Sequence, residues 1–109
     1  MITSGSAPIS PEVLTFLKVA FGGDIVEGYG MTENCGTCLR GAPWDHSGVG
    51  TCGPPQPCNE VKLIDVPEMG YTSQDKPFPR GELCTRGWNN FLGYYKGERF
   101  WLTRLVDRH

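Results

Sequence analysis

No run of apolar residues in this sequence approaches the ~20 needed to cross a bilayer as a helix. The opening Met1-Ile2-Thr3-Ser4-Gly5 has no basic region leading into an apolar one, so a secretory leader is not expected and the expected location is intracellular. An excess of one charge is also missing. Lys and Arg number 10 against 12 Asp and Glu, for a net charge of −2, which argues against nucleic acid or an anionic membrane held by a basic field. Histidine is scarce as well. His46 follows Asp45, but the Trp44-Asp45-His46-Ser47 loop offers no nucleophile for it to activate, so no general base is expected there. A hydrophobic share of 39% over 109 residues suffices for one small core and leaves no room for two.

What the sequence does have is 15 Gly and 9 Pro, which predict abundant turns. It also has five cysteines, Cys35, Cys38, Cys52, Cys58 and Cys84, an odd set that with no leader reads as reduced thiols. Cys35-Gly36-Thr37-Cys38 is a C-x-x-C, and Cys52 and Cys58 follow it, so a zinc-binding interaction module using these four thiolates is one alternative. Against it, five residues separate Cys52 from Cys58, and several are Pro or Gly. Small, mostly buried free cysteines are the simpler expectation.

The spacing predicts a helix after Ser10. Ser10 is a good N-cap, Pro11 fits the first helical position, and Glu12 places negative charge at the positive end of the helix dipole. Val13, Leu14, Phe16, Leu17, Ala20 and Phe21 form one apolar face, and Gly22-Gly23 supplies the left-handed stop. Asp24 to Glu27 is β-prone and runs into a polar loop, Gly28-Tyr29-Gly30-Met31-Thr32-Glu33. In α/β sheets ligands collect at the carboxyl ends of strands, which makes that loop a candidate binding position. Farther on, Val61 to Val66 and Gly81 to Arg86 read as two strands that pair as a hairpin across a long polar loop, with a seam between the halves somewhere from Cys38 to Gly50.

Three strings occur in a telling order: Ser4-Gly5-Ser6-Ala7-Pro8, then Tyr29-Gly30-Met31-Thr32-Glu33, then Gly81-Glu82-Leu83-Cys84-Thr85-Arg86-Gly87 with Gly93-Tyr94-Tyr95. Together they resemble the adenylate-forming superfamily. The stretch from Cys58 to Met69 narrows the resemblance to long-chain fatty-acyl-CoA synthetases of fungal type, over about residues 1–96. The fold class this implies is α/β: the end of an αβ subdomain (1–40) followed by part of a small β-barrel subdomain (48–96), both from the large N-terminal domain. Such enzymes activate a fatty acid with ATP to acyl-AMP and pyrophosphate, then pass the acyl group to coenzyme A.

By that resemblance Gly5, Ser6, Ala7 and Pro8 line the nucleotide pocket, where small side chains let backbone approach adenine. Tyr29 offers the base an aromatic face. Gly28 and Gly30 leave room for the acyl carboxylate and the first part of its tail, with Gly30 also beside the nucleotide. Thr32 and Glu33 are the expected catalytic pair: Thr32 donates to the α-phosphate, and Glu33 holds Mg²⁺, a hard cation that prefers oxygen. Read as residues alone, Tyr29 is a packing residue and Thr32-Glu33 a cap before a helical turn. Gly81-Glu82-Leu83 is architectural on either reading.

The resemblance also marks what is missing. A phosphate loop with its Lys belongs upstream, while the Thr-Gly-Asp element, the hinge and a C-terminal domain with its own Lys belong downstream. Met1 reads as a residue partway along a strand, and residues 97–109 depart from the family pattern, as a frameshift, a retained intron or a gene-model error near Lys96 would produce. The expectation is an internal fragment that is inactive alone, since losing one preorganised donor costs on the order of 10²–10³ in rate. Its partners are the small molecules ATP, fatty acid and coenzyme A. The parent is expected in the cytoplasm or peripheral on endoplasmic reticulum, lipid droplet or peroxisome. A non-catalytic partner of a full synthetase is a third reading, motivated by apolar surface left without neighbours.

Overall fold

The computed structural model describes residues 1–95. The departure expected over residues 97–109 lies outside the described residues. Strand β1 (Ile2–Ser4) leads through helix α1 (Pro11–Phe21) into strand β2 (Ile25–Met31). β1 and β2 are parallel, with Ile2 opposite Ile25 and Ser4 opposite Glu27, an arrangement that requires a crossover element such as α1. α1 begins and ends as its sequence dictates. The Ser10 side chain accepts the Val13 N–H at 3.3 Å, Pro11 starts the helix, and Gly22 closes it in the left-handed conformation.

β2 runs farther than Asp24 to Glu27. The expected polar loop from Gly28 is strand as far as Met31, and only a single 3-10 turn, Thr32–Asn34, separates it from strand β3 (Gly36–Arg40). β3 returns antiparallel along β2, and this pairing holds the two glycines extended despite their low strand propensity. The register slips between Tyr29 and Gly30, because Leu39 opposes Tyr29 while Thr37 opposes Gly30. Cys38 is the extra residue of this bulge, buried, with its thiol donating to the Tyr29 carbonyl at 3.6 Å. The segment after residue 53 then runs along the free side of β3: Arg40 N–H donates to Pro54 O and Gln56 N–H to Cys38 O.

The second half is the expected hairpin. Strands β4 (Asn59–Ile64) and β5 (Glu82–Gly87) pair antiparallel from Asn59 opposite Gly87 to Ile64 opposite Glu82. Glu60 and Arg86 face each other across it as an exposed ion pair. The long connection is ordered by its own polar groups. Asp65 accepts the Ser73 N–H at 2.7 Å, and Asp75 accepts from Thr72 N–H, Thr72 hydroxyl and Arg80.

The apolar core is small: Leu14, Ile25, Val26, Cys38 and Cys84. The helix face drawn from the sequence is covered only in part. Leu14 is 2% exposed, whereas Phe16 is 67% and Phe21 65% exposed. A sheet of three strands is too narrow to cover the whole face.

Candidate functional site

Three segments meet around β2. The loop after β1 folds back on the strand: a Cβ added to Gly5 would lie 3.1 Å from the Gly28 carbonyl oxygen, and the Ile9 N–H donates to Glu27 Oε1 at 3.3 Å. Gly5, Ser6, Ala7 and Pro8 thus sit against the middle of β2 as an exposed, small-residue loop, with Ser6 at φ 70°. Glu27 was not singled out from the sequence, although a carboxylate in a β-prone apolar run is the signal. Its second oxygen, Oε2, is buried and has no partner among the described residues.

Tyr29 is 37% exposed on β2, and Thr32 is exposed on the turn that follows. At ~3.3 Å per residue, Thr32 stands roughly 13 Å along the chain from Gly28. The structure gives the two glycines a packing reason of their own. A Cβ at Gly30 would meet the Gly36 carbonyl oxygen at 1.8 Å, and one at Gly28 would meet Leu39 O at 3.2 Å.

Thr32 and Glu33 lie side by side on a turn closed by the Cys35 N–H donating to Thr32 O at 3.0 Å, with Cys35 in the left-handed conformation. The Thr32 side chain makes no cap hydrogen bond, since the cap position is Met31. The Glu33 carboxylate accepts the Tyr94 hydroxyl. That bond holds the Glu33 carboxyl below its ordinary pKa and pushes the Tyr94 phenol up. Tyr94 packs edge-on against Phe91, with ring centres 4.8 Å apart, and the Phe91 N–H donates to the Glu33 carbonyl at 2.9 Å.

Glu33 therefore offers an ionised oxygen at the surface, the donor type a hard cation prefers. Among the described residues no three His, Cys, Asp or Glu side chains converge on one point. A site here would hold Mg²⁺ by one carboxylate, with phosphate oxygens and water supplying the rest, which is that ion's common habit. Nor do the four thiols of Cys35, Cys38, Cys52 and Cys58 come together as the zinc-module alternative would require. Cys38 is carried into β3 and buried, Cys35 and Cys58 are exposed, and Cys52 is half-buried. The left-handed turn at Cys35 followed by extended backbone spreads the C-x-x-C along a strand instead of gathering it into a knuckle. Burial pushes the Cys38 and Cys52 thiols up.

Beneath the turn, Asn34 is buried and bonded to Thr85 and Asn90, and Asn89 donates to its carbonyl. The sequence offered no signal for this group beyond the paired asparagines after β5. His46 is exposed, and neighbouring Asp45 is occupied by the Ser47 N–H and hydroxyl.

A model of the AMP-binding enzyme family matches residues 1–95. Long chain acyl-CoA synthetase 6, peroxisomal, of Arabidopsis thaliana is 56% identical over 98 residues, covering 89% of this chain and 14% of that protein. Fatty acyl-CoA synthetase A of Dictyostelium discoideum is 53% identical over 95 residues, covering 87% of this chain and 14% of its own length. The likeness thus extends beyond the fungal type. The A domain of carboxylic acid reductase from Segniliparus rugosus, solved in complex with AMP and a co-purified carboxylic acid, is similar at a TM-score of 0.66 and 42% identity. That match covers 87% of this chain and 13% of the solved one. The chain spans 14% of the length of the two synthetases.

Proposed function

This chain belongs to the AMP-binding enzyme family, and from that we propose that it is the nucleotide-facing part of a long-chain acyl-CoA synthetase. Its α/β arrangement is that of the adenylation domains. The proposed reaction is activation of a fatty acid by ATP to acyl-AMP and pyrophosphate, followed by acyl transfer to coenzyme A. The single observation that carries this reading is the small-residue loop folded onto β2, with an exposed Thr32 and a half-buried Glu33 where that strand ends. A mononucleotide laid along this stretch puts its base near Gly5, Ser6, Ala7, Pro8 and Tyr29, and its phosphate at Thr32.

Each group then has a defined task. The loop presents backbone to the base without steric conflict, and Tyr29 covers one face of it. The Thr32 hydroxyl donates to the α-phosphate oxygen, where charge shifts as the fatty-acid carboxylate attacks and pyrophosphate leaves. Gly28 and Gly30 present backbone to the acyl carboxylate. Glu33 would hold Mg²⁺, which when bound neutralises phosphate charge. The names of two Arabidopsis relatives place those proteins in peroxisomes, and we assign the parent of this chain to the same compartment. Among the described residues no helix is long and apolar enough to cross a membrane.

The test is a titration of the isotope-labelled chain with millimolar AMP and Mg²⁺, followed by NMR. Shifts confined to Gly5, Ser6, Ala7, Tyr29 and Thr32, and weakened in Thr32→Ala, are the expected outcome. Absence of shifts at these residues overturns the nucleotide reading. The 109-residue chain alone is expected to show no fatty-acid-dependent ATP–pyrophosphate exchange.

A further inference from the structure

The turn that carries Thr32 and Glu33 has little to hold it in place by itself. It is three residues long, with one internal closing bond from the Cys35 N–H to Thr32 O, and both Thr32 and its neighbour Cys35 are exposed. One hydrogen bond seldom fixes a turn in water, because it trades against a bond to solvent. What fixes it lies on its underside. Asn34 is 1% exposed, and its Nδ2 donates to Thr85 Oγ1 at 3.0 Å and to Asn90 Oδ1 at 2.9 Å. The backbone takes part as well: Asn89 Nδ2 donates to the Asn34 carbonyl at 2.8 Å, and the Phe91 N–H to the Glu33 carbonyl at 2.9 Å. Asn90 Nδ2 in turn donates to the Thr85 carbonyl at 3.2 Å, which anchors the receiving side to β5.

We propose that Asn34 is a positioning residue for the adenylating chemistry, holding the Thr32–Glu33 turn at a fixed height above β5 through its two carboxamide N–H groups. This rests on the nucleotide reading of that turn. The side chain type is demanded by the geometry. Two donors must leave one atom toward two different acceptors, which a carboxamide does and a carboxylate or hydroxyl does not. Stability alone does not explain the choice, since Asn34 Oδ1 is buried and left without a partner among the described residues. An unpaired buried acceptor is a cost. It is borne at the one residue of the turn that faces inward, directly beside the two that face out. Because Thr85 lies 51 residues away and Asn90 56, the hairpin half of the chain sets the position of chemistry that the other half carries.

The test uses the full 109-residue chain, comparing wild type with Asn34→Leu, which keeps the branched side-chain skeleton without donors, and Thr85→Val, which removes one acceptor. Amide exchange at Cys35 and Phe91 reads the turn, while Ile2 and Gly41, bonded to Asp24 and Glu27 within the first sheet, report the rest of the fold. The expected result for Asn34→Leu is at least tenfold faster exchange at Cys35 and Phe91, unchanged protection at Ile2 and Gly41, and at least tenfold weaker AMP binding. Thr85→Val should give the same pattern at about threefold. Unaltered exchange at Cys35 and Phe91 overturns the proposal. If Asn34→Leu speeds exchange everywhere, Thr85→Val decides: a local effect upholds positioning, and a uniform one makes Asn34 a stability residue and ends it. If wild type itself shows no AMP response, the nucleotide reading fails, and the exchange pattern alone still judges whether Asn34 fixes the turn.

Discussion

At the scale of single residues, Gly30 carries the sharpest steric demand in the described chain. A Cβ there would lie 1.8 Å from the Gly36 carbonyl oxygen and 2.7 Å from Thr37 Cα, both backbone atoms of the strand that closes on it. No rotamer change relieves such a contact, so the strands must separate. Gly30→Ala is expected to destabilise the chain by about 3 kcal/mol or more, a cost at the upper end of overpacking effects, seen as a large fall in the denaturation midpoint. Between glycines at a strand end, Tyr29 reads from its residues alone as a packing residue, and only the family resemblance turns it toward a ligand. The structure agrees that it is partly exposed, but accounts for Gly28 and Gly30 by the close passage of β3. A glycine beside a ligand position can therefore also be required by the backbone packed against it, and only the second strand reveals that requirement.

At the scale of elements, the connection between β4 and β5 is held by Asp75. Its carboxylate accepts from Thr72 N–H, Thr72 hydroxyl and Arg80, and the Thr72 bonds lead in holding its pKa below the ordinary aspartate value. A group depressed in the folded state contributes stability that is fully present above its unfolded pKa and lost as pH falls through the folded one. Protection of the Thr72 and Arg80 amides is therefore expected to hold at neutral pH and collapse on the acid side of the ordinary aspartate range. Asp75→Asn should flatten that dependence, as hydrogen exchange across an acid titration would show.

What was legible at this scale was whatever is written locally. The cap, proline and glycine of α1 and the two alternating runs of the hairpin lie within a few residues of each other. β3 was not legible, because Gly36 and the C-x-x-C drew attention to turns and thiols in a segment whose extension comes from pairing with β2. The Asn34 group was illegible for a stronger reason. Polar partners 51 and 56 residues apart leave no period for a local pattern to display. The order of the three motif strings was enough for the family, while the floor beneath the Thr32–Glu33 turn needed coordinates.

At the scale of the whole molecule, burial is shared unevenly. Leu14 is enclosed between α1 and the sheet, while Phe16, Val19 and Phe21 stand in solvent. Leu14→Ala should cost about 2–4 kcal/mol, and Phe16→Ser should change stability by no more than about 0.5 kcal/mol, in chemical denaturation of this chain. Equal losses would mean that the outward face is covered by self-association, and sedimentation would then show it.

The junction between the halves also responds to temperature in its own way. Apolar burial weakens on cooling, because the hydration it avoids changes in heat capacity. The bonds around Asn34 run between amides, a hydroxyl and backbone, and exposing polar groups moves heat capacity in the opposite direction. Chilling this chain is therefore expected to weaken its small apolar core first, and the polar clasp of Asn34, Thr85, Asn89 and Asn90 lasts only as long as the β2–β3 turn and β5 stay folded.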